Sequence, residues 1–173
     1  MEMMKMRCPL AGGARNLLLA AFLSVQLGAV SACAQSELGR HVQHPEYVLL
    51  DGKTLPANRT TGKVVMVVFW ATWCPVCVHE LPEMQRLYEA YRKKGLEIVA
   101  LSLDEDAETV REFWRKAQLR FPVAMRSAAA RQAFGPIRAT PTTVIVDRAG
   151  VVREHHLGGM GFEALEKAVR PLL

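Results

Sequence analysis

Cys74 and Cys77 stand three positions apart in WATWCPVC, directly after the apolar run VVMVVF. Two thiols at this spacing can cycle between dithiol and disulfide, supply half of a metal site, or close a short structural disulfide. The elements that position them bear on the choice. KVVMVVFWA is a continuous β-branched and aromatic run of buried-strand length. The segment CPVCVHELPEMQRLYEAYRKKG puts Val78, Leu81, Met84, Leu87, Tyr88 and Tyr91 at spacings of three and four, which predicts a helix closed by Gly95. Pro82 falls inside it and predicts a kink. A CxxC at a helix start has a physical logic. The helix N-terminus offers unpaired N–H groups and a partial positive charge, so a thiolate there is stabilised and its pKa falls. The second thiol lies one turn on, within reach of a mixed disulfide formed on the first. On this reading Cys74 is the exposed attacking thiol and Cys77 the buried resolving one.

The other readings ask for more than the chain supplies. A zinc half-site needs a second ligand pair, and the remaining cysteines, Cys8 and Cys33, belong to the leading segment. Haem attachment needs a histidine at position 78, which is Val78. A structural disulfide of this spacing closes almost no loop and stabilises little. No metal and no cofactor are expected.

The chain begins with a basic stretch, MEMMKMRCPLAGGARN, followed by an apolar run, Leu17–Val30. That run is short for a bilayer span and suits the core of an export signal. VSAC, ending at Cys33, resembles a bacterial lipobox, with Cys33 as the lipidated first residue. ACA also fits ordinary cleavage before Gln35. The expected organisation is a signal peptide over residues 1–33, a polar tether over 34–45 and one domain over 46–173. An exported domain lies in a compartment that permits disulfides. The formal charge of +5 includes the basic leader and is too mild for a nucleic-acid binder, and no basic stripe accompanies it.

Asp51-Gly52 between short apolar runs predicts a hairpin. After the cysteine helix come a strand, LEIVALSL; a helix, DAETVREFWRKAQL; a short strand, FPVAMR; and a third helix, SAAARQAFG. PTTVIVD and VVREHHL flank a turn at Arg148–Gly150, and GFEALEKAVRPLL closes the chain as a helix. Strands alternating with helices imply an α/β domain with a parallel sheet, and the last hairpin adds an antiparallel edge. His155 and His156 alternate in a strand and His79 follows the motif, so none is read as a ligand. His41 and His44 fall in the expected tether.

FWATWCPVC, ELP, FPV and RATPTTVIVDRAG together resemble the TlpA/ResA-like branch of the thioredoxin superfamily, over roughly residues 45–173. The resemblance implies a thioredoxin fold with an N-terminal β-hairpin and a central helix–strand insertion, near Asp104 to Arg126. It implies an exported, membrane-tethered dithiol–disulfide oxidoreductase. Thr140-Pro141 matches the family's cis-proline beside the CxxC, with Thr140 pairing its backbone to a substrate segment; on ordinary grounds a proline is also allowed at the first position of a strand. Trp73 matches the tryptophan that flanks the active site, and Trp70 reads as core. Val68 stands where thioredoxins proper carry a buried acid. Glu80, three residues after Cys77, matches a glutamate frequent in this branch and lies on nearly the same helix face. It is either a proton acceptor for Cys77 or a solvated surface acid. Pro75-Val76 departs from the branch's Cys-x-Pro-Cys. Val76 keeps an N–H that a proline would remove, which predicts a donor for the Cys74 sulfur and a less reducing couple.

The leading expectation is therefore a periplasmic reductase of exported client proteins with disulfides, recharged by an upstream membrane thiol donor. The family resemblance suggests apocytochrome c as one client class. The alternatives are a thiol oxidant that donates its disulfide, and a Cu(I)-handling relative, since soft thiolates favour that ion.

Overall fold

A computed structural model describes residues 38–173. Cys33, the signal peptide and residues 34–37 of the expected tether lie outside the described residues. The elements are β1 (Tyr47–Val48), β2 (Thr54–Leu55), β3 (Val64–Trp70), α1 (Pro75–Tyr91), β4 (Leu96–Ser102), α2 (Ala107–Lys116), β5 (Val123–Met125), α3 (Ala128–Phe134), β6 (Thr142–Val146), β7 (Val152–Leu157) and α4 (Phe162–Val169).

β1 and β2 pair as an antiparallel hairpin, as the Asp51-Gly52 signal predicts. The main sheet runs β5-β4-β3-β6-β7. β3 is parallel to β4, and β4 to β5; β6 and β7 are antiparallel additions on the other side. The α2–β5 unit is the central insertion, and it widens the sheet by one parallel strand.

β3 reads as an unbroken apolar run because both its faces are covered. Val64, Met66, Val68 and Trp70 point to one core, with Leu81, Met84 and Leu87 of α1, Val110 and Trp114 of α2, and Leu165 of α4. Val65, Val67 and Phe69 point to the other, with Ala130 and Phe134 of α3 and the N-terminal residues Val42 and Tyr47. Trp70 is fully buried against Phe113 and Trp114, so it is core as expected.

From Gly39 onward the stretch read as a tether is part of the domain. Gly39 N–H donates to Val152, Val152 N–H to Arg40, and Val42 N–H to Gly150, so residues 39–42 pair along the start of β7. Val42 is buried, and His44 packs its ring against Phe134. Leu50 N–H then donates to Val123 on β5. Residues 39–42 thus cover backbone at the β7 edge of the sheet and Leu50, within the expected domain, at the β5 edge, which isolated edge strands leave open. The stretch's few apolar residues, spaced irregularly among polar ones, hid this role.

Candidate active site

α1 starts at the carboxyl end of β3 and carries the cysteine pair into the sheet's rim. Cys74 is its N-cap, with extended backbone, and Pro75 takes the first helical position. That order is physically favourable: a proline has no N–H to leave unpaired there, and its fixed φ suits the helix. Cys74 and Cys77 form a disulfide with Cα atoms 5.3 Å apart. The Cys74 sulfur accepts the Cys77 N–H at 3.2 Å. The expected donor at this sulfur was Val76 N–H. The structure gives that place to Cys77, because the N-cap side chain folds back over the first turn and meets the N–H three residues on.

Cys74 was expected to be exposed. In the disulfide state it is 6% exposed and Cys77 1%. Its sulfur is bonded to that of Cys77 and accepts the Cys77 N–H. The exposed residues of the motif are instead Trp73, Pro75 and Val76, the tryptophan at 66% and the valine at 53%. His79 is exposed on the helix, as a rim residue would be.

The start of β6 lies at the same end of the sheet as the pair. Phe69 of β3 is opposite Thr142 of β6, so the next residues along, Trp70 and Pro141, lie at the same end of the sheet as the start of α1. Thr140-Pro141 is a cis peptide bond. Pro141 is buried, and its carbonyl accepts Gly158 N–H at 2.8 Å. Thr140 is half-buried.

Glu80 is 4% exposed, which removes the reading of a solvated surface acid. Leu81 and Met84 of the same helix bury on the same side. Met160 N–H, from the loop between β7 and α4, donates to Glu80 Oε1 at 2.8 Å. Oε2 is buried and has no partner among the described residues. Burial pushes the Glu80 carboxyl up to about 7, with the Met160 N–H working in the opposite direction. A group poised near neutral pH beside a thiol is suited to taking and returning a proton.

Asp104 is the residue that sequence reasoning missed. It sits just beyond β4 and was read only as the start of the insertion. Its Oδ2 accepts Thr72 N–H at 3.0 Å and the Ser102 hydroxyl at 2.6 Å, and its Oδ1 accepts the Thr72 hydroxyl at 2.5 Å. Ser102 Oγ in turn accepts Asp104 N–H at 2.9 Å. The carboxylate thereby fastens the β3–α1 loop, two residues before Cys74, to the end of β4. The signal available was the polar SLD after an apolar strand, at the carboxyl end of a parallel strand, where sites in α/β sheets form.

This fold, with a CxxC disulfide at the head of α1 and a cis-proline at the same sheet end, defines a thioredoxin-fold thiol–disulfide oxidoreductase. The chain belongs to the Redoxin family, which matches residues 39–169, and within it to the TlpA/ResA-like group. It is 34% identical over 119 residues to the thiol-disulfide oxidoreductase ResA of Halalkalibacterium halodurans, covering 68% of this chain and 67% of that one. It is 36% identical over 124 residues to ResA of Bacillus cereus, covering 70% and 72%. Among solved structures, a thioredoxin-family thiol:disulfide interchange protein from Chlorobium tepidum superposes with a TM-score of 0.71 at 26% identity, over 80% of this chain and 99% of that one. The matched family segment begins at Gly39, where the described chain docks onto the sheet.

Proposed function

We propose that the protein is a reductase of the bacterial cell envelope that uses Cys74 to attack and Cys77 to resolve, with Glu80 as the proton acceptor for Cys77. The observation that carries this reading is the buried Glu80, about one turn beyond Cys77, with one oxygen held and the other unpartnered. In the dithiol form the Cys74 thiolate attacks one sulfur of a client disulfide. The client S–S bond breaks, its other sulfur leaves as thiolate and takes a proton from water, and a mixed disulfide remains. Cys77 gives its proton to Glu80 and attacks the Cys74 sulfur. The second client sulfur leaves as thiolate and is protonated in turn. The client has gained two electrons and two protons, and Cys74–Cys77 is a disulfide.

Around the couple, Trp73 offers an exposed apolar ring, and Thr140 with cis-Pro141 offers backbone for an extended client segment. A client held there would bind by strand addition, in which main-chain hydrogen bonds hold the peptide and side chains select it. The basic leader and apolar run support export, and VSAC supports a lipid anchor at Cys33. No helix among the described residues is long and apolar enough to cross a membrane. The clients are exported proteins with disulfides, apocytochrome c being one class, and a membrane thiol donor resupplies electrons.

Equilibration in glutathione and dithiothreitol buffers tests the direction of electron flow. A potential near that of thioredoxin, about −270 mV, fits a reductase, whereas one near −120 mV describes an oxidant. Intact mass of the membrane fraction reads the anchor: acyl chains on Cys33 fit the reading, and an unmodified Gln35 terminus contradicts it.

A further inference from the structure

The loop between β7 and α4, Gly158-Gly159-Met160-Gly161, touches three parts of the candidate site at once. Gly158 N–H donates to the carbonyl of Pro141 at 2.8 Å. Met160 N–H donates to Glu80 at 2.8 Å. Between them, a Cβ built on Gly159 would lie 2.9 Å from Val76 Cγ1, closer than side-chain carbons approach. The two neighbouring glycines differ in what they require. Gly158 has φ +96°, a backbone that favours glycine whatever surrounds it. Gly159 has no such conformation and is small because Val76 occupies the space. Val76 is itself the position at which this chain departs from Cys-x-Pro-Cys. Being β-branched and helical, it has little freedom to turn aside.

We propose that Val76 and Gly159 form a steric gauge that sets how closely the β7–α4 loop approaches α1, and thereby holds the Glu80 carboxylate with Oε1 on Met160 and Oε2 free. Gly159 and Val76 act here as positioning residues for Glu80, and the functional consequence rests on the reading of Glu80 as proton acceptor. The mechanism is mechanical. A larger residue at 159 pushes the loop outward, lengthens the Met160–Glu80 bond and withdraws the donor that favours the charged carboxylate. A smaller residue at 76 makes room and lets the loop return.

The causes acting on Glu80 are its burial and the Met160 N–H. The titratable groups near it on α1 are Cys74 and Cys77, tied together in the disulfide, exposed His79, and Glu83, which pairs with Arg86. From the elements packed against α1, Glu166 of α4 bonds Tyr91 and Glu97 of β4 pairs with Lys63, while Glu163 and Lys167 lie on the first and last turns of α4.

The test compares Gly159→Ala, Val76→Ala and the double variant in the oxidised protein, with the Glu80 carboxyl followed by carbon NMR across pH 4–9. Gly159→Ala is expected to raise the Glu80 midpoint by about one pH unit, the size of one weakened hydrogen bond to a charged group. Adding Val76→Ala is expected to return it to within a few tenths of a unit. An unchanged midpoint in Gly159→Ala, or no return in the double variant, overturns the gauge. If Gly159→Ala does not fold and the double variant does, the steric pairing stands. If neither folds, glycine serves the loop backbone alone and the proposal fails. Glu80→Gln with an undiminished exchange rate would overturn the acceptor role separately, leaving the NMR result to judge the gauge.

Discussion

Two carboxylates flank the disulfide, and they are treated in opposite ways. Asp104, on the side of the β3–α1 loop, has both oxygens engaged by Thr72 and Ser102. Glu80, on the side of the helix, has one oxygen on Met160 and the other buried without a partner. A fully bonded carboxylate fixes the backbone that leads to Cys74. A half-bonded, buried one is held in place yet keeps a site for a proton. The same functional group thus clamps a loop on one flank and stands half-bonded in a buried place on the other.

Removing the clamp gives the largest expected effect on stability. Asp104→Ala strips three hydrogen bonds from a partly buried carboxylate and leaves the Thr72 and Ser102 donors short of an acceptor. A loss of about 2–4 kcal/mol is expected in urea unfolding. A loss below about 0.5 kcal/mol would mean that the β3–α1 loop is held by other contacts.

Glu80→Gln should behave in the opposite manner. The folded-state carboxyl titrates near 7, above its ordinary 4.5, so the folded protein binds this proton more tightly than the unfolded chain does. The associated stability is complete below the ordinary value and is lost as pH rises through 7. A glutamine cannot ionise, and its amide oxygen can still accept Met160 N–H. The variant should therefore match the native protein near pH 4.5 and exceed it at pH 8. Allowing for screening, the gain is about 1–2 kcal/mol. Thermal melts at the two pH values check this, and an equal difference at both would show that Glu80 is not the titrating group.

The smallest effect is expected at Val76. Since Cys77 N–H is the donor at the Cys74 sulfur, Val76→Pro removes an N–H that does not serve the couple. The potential should move by less than about 15 mV, or roughly 0.7 kcal/mol. A fall of 30 mV or more would restore Val76 N–H as the controlling donor.

These contrasts also mark where the sequence was readable. The strand before the cysteines, the helix after them, the Asp51-Gly52 hairpin and the closing hairpin follow from local pattern and turn chemistry. The cis bond at Thr140-Pro141 was legible only through resemblance. The clamp was not, because Thr72 and Asp104 are 32 residues apart and meet only when β3 and β4 pair. Glu80 was visible as a position but not as a buried one, since its partner Met160 lies 80 residues on. Residues 39–45 looked like a linker because backbone pairing to a sheet edge needs no side-chain pattern. The Cys77 N–H was within local reach and was missed, as the N-cap role of a cysteine is unusual beside Ser, Thr, Asp and Asn.

Which cysteine captures a client decides between Cys74 and Cys77 as the attacking thiol. The reduced Cys77→Ala protein is incubated with a disulfide-bonded protein substrate, and the products are mapped by peptide mass. A stable mixed disulfide on Cys74 is expected, with no adduct when Cys74→Ala is used in its place. Capture by Cys77 in the Cys74→Ala protein, at a rate comparable to that of the other variant, would contradict Cys74 as the attacking thiol.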